Sequence, residues 1–356
     1  MSSSQDILQA KQALSARLLR AGLRGNAFNR RPALNVRTAI GFAGQNVHAV
    51  GIGSKVVSGE ATTQECIRIY VVQKVAPSIL PPRDRLPEMI DGIPTDVIES
   101  PPAVISARGR ARRGVRAAAA ASCSSNRRSR QRPIVGGISA AHFEVTAGTL
   151  AYFCRSTLSG DDPSKIYILS NNHVFANVNR ADEGDDLDQP GPEDGGTAGD
   201  HFASFFRAIN LRLGGIFPNK IDAAIGELLP GIDFRLEICN IGRITGVATA
   251  EQNMQVRKHG RTTGYTEGRI SETSYDSIVR VERGTSTVPA LFQNQIRVER
   301  DTSSPAFALR GDSGSLVVDQ STAEAVGLYF AGPDSGEYGV ANHIGDVLEE
   351  LQIELL

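Results

Sequence analysis

The sequence predicts a mainly β protein closed by a C-terminal helix, and three observations carry that prediction. The 356 residues include 36 glycines and 17 prolines but no tryptophan, a composition rich in turns. From residue 134 onward, short apolar segments recur between glycine-bearing turns. They include VTAGTLAYF (145–153), KIYILS (165–170), IDAAIGELL (221–229), QNQIRVE (293–299), GSLVVD (314–319) and AVGLYFAG (325–332). The final stretch, HIGDVLEELQIELL, sets Ile344, Val347, Leu348 and Leu351 at the i, i+3, i+4, i+7 spacing of an amphipathic helix.

Hydrophobic residues make up 40% of the chain and charged residues 22%, an ordinary globular balance. The length suits about two to three domains. Residues 1–31 hold an amphipathic helix in which Ile7, Leu14, Leu18 and Leu19 share a face, with Lys11, Arg17, Arg20 and Arg24 elsewhere. That face predicts packing on the body of the protein, or else docking of a regulatory protein partner or a membrane surface. Residues 32–100 read as a small α/β domain. Its strand candidates are VHAVGIGSKVV (47–57), CIRIYVVQKV (66–75) and DGIPTDVIES (91–100), and no cluster in it suggests chemistry.

Residues 101–133 are poor in large apolar side chains and read as a flexible linker. Nine arginines and no acid fall within 108–132, whereas the rest of the chain keeps 29 basic residues (38 less those nine) against 39 acidic ones. Aromatic residues that would stack bases are missing from this stretch, so nucleic-acid binding is not expected from it. A strand-rich unit then begins at 134 and runs to 356. Its first residues, IVGG (134–137), follow Pro133 and read as an entering strand rather than a newly freed N-terminus. The acidic run 181–200 carries seven acids in its first fourteen residues and is expected to be a solvated loop, since its spacing matches no calcium-binding pattern. His259, in KHGRTTG, is expected to be structural.

The four cysteines, Cys66, Cys123, Cys154 and Cys239, show no CxxC spacing; the expectation is a chain without bridges in a reducing, cytoplasmic compartment. No apolar run approaches the ~18–20 residues of a membrane span, and residues 1–30 lack the apolar core of a secretory signal.

Three stretches carry candidate chemistry: ILSNNHVFAN (168–177) with His173, NKIDAAIGEL (219–228) with Asp222, and LRGDSGSLVVD (309–319) with Ser313. A serine hydroxyl becomes a useful nucleophile when an imidazole takes its proton. A carboxylate on the other ring nitrogen then sets the tautomer and stabilises the imidazolium. The developing oxyanion needs preorganised N–H donors, and those of Gly311 and Ser313 are the natural pair. Asp312 is expected to cap its own turn, the alternative being a pairing with a freed Ile134.

With these residues the sequence resembles the trypsin-like, chymotrypsin-fold serine peptidases. The order His, Asp, Ser is that family's, and 49 and 91 residues separate the three. The phrasing SNNHV, NKIDAAI, KHGRTTGYTEG and GDSGS looks most like bacterial relatives of the plant NARROW LEAF peptidase. A looser likeness reaches back to GIGSKVV and DGIPTDV. Two departures stand out: Ser315 and Leu316 follow the serine-glycine pair, and the histidine turn reads Asn-Asn-His-Val.

The resemblance implies a double β-barrel with His173 and Asp222 on one barrel and Ser313 on the other. It implies a serine endopeptidase acting on protein or peptide substrates, without metal or cofactor. It places a substrate pocket at 305–308 and 329–332, with Phe307, Tyr329, Phe330, Ala331 and Gly332 as candidate lining. No acid stands near Phe307, so small or apolar substrate side chains are favoured over basic ones. The rival is a protease fold without activity that serves as an interaction module.

Overall fold

The computed structural model describes residues 4–22, 46–57, 60–106, 123, 125–283 and 286–356. The fold is mainly β and carries the C-terminal helix Ile344–Leu351. Two large sheets dominate it. One has seven strands in the order 353–355, 153–156, 167–170, 224–228, 201–208, 186–188 and 141–142, all antiparallel. In the other, the strands 286–300, 338–343, 325–331, 316–319, 255–260 and 264–283 pair antiparallel in turn, and the last returns to the first. That ring of six is a closed barrel, which leaves no free edge among its members. Val256, Ile270, Ile296, Val298, Val317 and Val326 share one buried apolar cluster within it.

The C-terminal helix leaves the last barrel strand, and the chain then adds strand Ile353–Leu355 to the seven-stranded sheet. Its predicted face is buried: Ile344, Val347 and Leu351 sit in a cluster with Leu169 and Ile225 of one sheet and Leu316 and Leu328 of the other. The helix therefore ties the two sheets across their junction.

Residues 47–99 do not form a sheet of their own. Strand Val47–Val57 pairs with Gly264–Arg283, and Glu60–Val71 and Ile93–Glu99 follow, so these strands continue the barrel's sheet. The joint is polar as well as apolar. The Arg297 guanidinium lies 3.5 Å from the Tyr338 ring centroid and 4.5 Å from that of Tyr70, and its Nε donates to Glu299 at 2.7 Å. Glu272 accepts from Tyr70 and from Arg68, and burial pushes its carboxyl up from the usual range. Gly51 sits against that carboxylate, where any Cβ would collide with it.

The N-terminal helix Ser4–Gly22 buries Ile7, Ala10, Leu14, Leu18 and Leu19 in a cluster with Val50, Ile67, Ile69, Ile278 and Leu291. The face offered for a regulatory partner is therefore covered by the chain's own sheet. Lys11, expected on the polar side, is also buried; it pairs with Asp276, which also accepts from Ser15 at 2.6 Å. A heptad-scale reading cannot foresee this, because the partner carboxylate lies 265 residues away.

Three further expectations change. Cys123 and Cys239 are disulfide-bonded, with Cα atoms 5.8 Å apart, so the chain is not free of bridges. The argument for a reducing compartment, which rested on unbridged cysteines, falls with it. Cys66 and Cys154 are free and buried. The linker is ordered at both ends: residues 104–106 form a strand, and Arg127 and Arg128 donate to the carbonyls of Arg261 and Thr262. Arg108, Arg110, Arg112, Arg113 and Arg116 lie outside the described residues. The acidic run is no simple solvated loop either, since Asp186–Asp188 is a sheet strand and Leu187 is fully buried. No helix among the described residues is long and apolar enough to cross a membrane.

Burial lowers three histidines from their ordinary value: His48 to about 3, His259 to about 4, and His343 in the same direction. Each stays neutral in the fold while its unfolded counterpart takes a proton near ~6.5. The unfolded state thus binds more protons below that pH, and stability rises with pH there. The contribution is complete above about pH 6.5 and is lost as pH falls towards about 4, at up to about 1.4 kcal/mol per pH unit for each histidine. Urea denaturation at neutral pH and at about pH 5 checks this; an unchanged midpoint would refute it.

Candidate active site

Strand Tyr167–Ser170 runs into the four-residue helix Asn172–Phe175, which carries His173, fully buried. The adjacent strand Ala224–Leu228 begins two residues after Asp222. Side-chain bonds fix the two turns together. Asn171 Nδ2 donates to the Asp222 carbonyl at 2.7 Å, and the Asp222 amide donates to Asn342 Oδ1 at 3.0 Å. Asn342 Nδ2 in turn donates to Gln295 Oε1 at 2.6 Å. Asp222 receives His173 twice: the backbone N–H at 3.2 Å on Oδ1 and ring Nδ1 at 2.5 Å on Oδ2. With Nδ1 donating, Nε2 carries the lone pair, and no described group bonds to it.

Ser313 comes from the barrel, in the turn before strand Leu316–Asp319. Backbone and side-chain bonds sew this turn to the sheet that carries His173. The Thr149 amide donates to the Ser313 carbonyl at 2.8 Å, and Ser170 Oγ donates to the Thr149 carbonyl at 2.8 Å. Thr149 Oγ1 completes the seam by donating to the Gly311 carbonyl at 2.9 Å. The approach is close enough that a Cβ on Gly314 would lie 2.1 Å from the Thr149 carbonyl oxygen, and its φ of +95° is left-handed besides. Gly311 is left-handed too, at +94°, with Thr262 Oγ1 2.6 Å from any added Cβ. Among the described residues no acceptor meets the amides of Gly311 or Ser313.

The structure brings His173 and Asp222 into contact but does not bond Ser313 to His173. Ser313 Oγ instead donates to the Phe330 carbonyl at 3.3 Å. Nucleophile–base hydrogen bonds commonly tighten only once substrate arrives.

Asp312 is the hub of the serine turn. Its Oδ1 accepts from the amides of Thr262 and Thr263 at 2.7 and 3.1 Å, and its Oδ2 from the Leu309 amide at 2.8 Å and Thr263 Oγ1 at 2.8 Å. A buried cation stands beside it: Lys258 Nζ lies 3.7 Å from Oδ2 and donates to Thr263 Oγ1 at 2.7 Å. Burial pulls the Lys258 ammonium down from its usual value, while the Asp312 charge works the other way. Ile134 is part of strand Ile134–Gly136, and its amide donates to the Asp233 carbonyl at 2.8 Å.

Next to Lys258, Arg261 forms a bidentate pair with Asp194, both bonds 2.6 Å, which explains why part of the acidic run is pinned. Sequence reasoning passed over Lys258, Arg261, Asn342 and Thr149. Only the cation at 258, embedded between Val256 and Gly260 in a strand, offered a signal. His259 is buried, with Nδ1 2.9 Å from the Gly137 carbonyl, in a structural place.

The candidate pocket residues Phe307, Tyr329, Phe330, Ala331 and Gly332 are all buried. Phe307 and Tyr329 are buried in the barrel cluster, edge-to-face at 6.3 Å, and Phe330 and Ala331 are buried in a second cluster. The Phe330 carbonyl faces Ser313. Alternating apolar residues look alike whether they face a cleft or a core. Among the described residues no cluster of histidine, cysteine and carboxylate side chains is suited to a metal ion.

No protein-family model matches the chain, and no curated protein matches it. Solved structures similar to it include Thermobifida fusca Protease A, 17% identical with a TM-score of 0.43 over 63% of this chain and 98% of that one. A Nocardiopsis protease is 18% identical with a TM-score of 0.43 over 62% of this chain and 98% of that one. A Cellulomonas bogoriensis chymotrypsin is 15% identical with a TM-score of 0.42 over 63% and 98%.

Proposed function

We propose that residues 134–356 form a chymotrypsin-like serine endopeptidase in which Ser313, His173 and Asp222 act as a triad. The observation that carries this reading is the buried Asp222–His173 pair, 2.5 Å apart, whose Nε2 has no partner among the described residues. In the reaction Ser313 Oγ attacks a peptide carbonyl and passes its proton to Nε2. Asp222 holds the ring and stabilises the imidazolium. The amides of Gly311 and Ser313 take the oxyanion. His173 then protonates the leaving amine, and water hydrolyses the acyl-enzyme by the same route reversed.

Lys258 bears on regulation. With a cation already 3.7 Å from Asp312 and the amides of Thr262, Thr263 and Leu309 filling the carboxylate, the serine turn needs no freed Ile134 to hold its shape. The substrate would be a protein or peptide, and kinship with the NARROW LEAF-related peptidases rests on the motifs SNNHV, KHGRTTGYTEG and GDSGS.

A fluorophosphonate probe tests the reading directly. Ser313 is expected to be labelled, with labelling lost in Ser313→Ala and sharply slowed when His173 is replaced by alanine. A folded protein that takes no probe even after its linker is cleaved would instead support the inactive interaction module. The bond from Ser313 Oγ to Phe330 is the one observation that favours that second reading.

A further inference from the structure

We propose that the chain's own strand Val104–Ser106 occupies the peptide-binding edge of this site, so that substrate must displace it; the inference rests on the peptidase reading above. Val104 and Gly332 form an antiparallel pair, with the Val104 amide donating to the Gly332 carbonyl at 3.0 Å and the return bond at 3.5 Å. Gly332 stands two residues beyond Phe330, the residue whose carbonyl takes the Ser313 hydroxyl. Two extended residues span about 6.6 Å. Because the pairing is antiparallel, the step from Val104 to Ser106 runs back from Gly332 towards Phe330 and the nucleophile.

The opposite edge of the strand points the same way. Val104, Ile105 and Ser106 pair parallel with Arg280, Val281 and Glu282. Glu282, opposite Ser106, receives Arg310 at 3.0 Å, and Arg310 directly precedes Gly311. Both neighbours of the strand thus lead its C-terminal end to the serine turn. Ile105 is fully buried in a cluster that includes Val178 and Leu211 from the histidine side and Phe330 and Ala331 from the serine side. Its side chain fills apolar space between the two halves of the site.

The lead-in is firmly held. Tyr338 donates to the Pro101 carbonyl at 2.7 Å, Arg297 to Ser100 Oγ at 3.3 Å, and His48 Nε2 lies 2.8 Å from the Ser100 carbonyl. Pro101 and Pro102 stiffen the approach.

Proteins commonly take extended peptides by adding them as a strand, with main-chain bonds supplying affinity and side-chain pockets selectivity. Val104–Ser106 makes that kind of contact already, and its covalent tether presents it at an effective concentration on the order of millimolar. Two consequences follow. The intact chain turns over peptides slowly, because the edge beside Ser313 is taken. The substrates that compete best are extended chains with a β-branched aliphatic residue at the place of Ile105.

The test uses the full chain, the substrate acetyl-Ala-Val-Ile-Ser-p-nitroanilide, and the variants Val104→Pro, which removes the bond to Gly332, and Ile105→Gly, which empties the apolar space. Both variants are expected to raise turnover at least about tenfold, as release of a tethered competitor would, with Ser313 still labelled by fluorophosphonate. Variants that label yet turn the substrate over no faster than wild type would overturn the proposal. Failure of the wild type and of both folded variants to label would sink the peptidase reading itself, and this inference with it. Should the variants fail to fold, hydrogen exchange on Ser313→Ala with acetyl-Ala-Val-Ile-Ser-amide decides the matter. Faster exchange at the Val104 amide is expected, and no change at saturating peptide would refute the displacement.

Discussion

Asp222→Asn is expected to lower kcat/KM on a peptide substrate by about 10⁴ while the protein stays folded. The size follows from what Asp222 does. Its Oδ2 accepts Nδ1 of His173 at 2.5 Å, and in the proposed triad this bond sets which ring nitrogen takes the serine proton. An asparagine amide in that place can donate, which favours the tautomer with the proton on Nε2 and leaves no base facing Ser313. The charge that would balance the imidazolium is lost as well. Steady-state kinetics beside thermal unfolding separates this from simple damage, since the contacts of residue 222 to Asn171 and Asn342 run through its backbone and survive the change. A loss of less than about tenfold would mean that Asp222 does not orient a catalytic base.

Lys258→Met should be the most destabilising single change near the site, at about 3–5 kcal/mol, because it strands a buried carboxylate. Asp312 and Lys258 are both wholly inaccessible to solvent and 3.7 Å apart. Methionine keeps the stem's packing beneath Phe307 but removes the charge. The turn that Asp312 organises, through Thr262, Thr263 and Leu309, also sets Gly311 and Ser313, so labelling of Ser313 should slow in step with the stability loss. Lys258→Arg should recover part of both, and adding Asp312→Asn to Lys258→Met should recover stability alone, since removing both charges relieves the unpaired one. Chemical denaturation and labelling rates measure the two effects. Wild-type values for both in Lys258→Met would show that the pair does not matter to the turn.

Parts of this protein were legible at the level of local pattern. The C-terminal helix could be read because its apolar residues recur at a period set by backbone geometry alone. The strands at 167–170, 224–228, 316–319 and 325–331 fell within predicted segments for the same reason. His173, Asp222 and Ser313 stood out because each sits at the mouth of such a strand, next to residues suited to tight turns.

Other features depend on partners far away in the chain. Lys11 looked like a surface charge until Asp276 was folded beneath it. Residues 101–106 read as linker because three strand residues have too little pattern to be seen, and their order comes from Gly332 and Arg280–Glu282.

By itself, then, the sequence determined the fold class, the order of the elements and the residue types able to do acyl-transfer chemistry, since these follow from local propensity and periodicity. Only the tertiary structure decided that Cys123 meets Cys239, that Lys258 neutralises Asp312, that Ser313 turns to Phe330, and that Val104 lies along Gly332. These contacts join residues from 17 to 228 positions apart, as their numbering shows. Close packing of the whole chain sets such distances, and no window of neighbouring residues contains them.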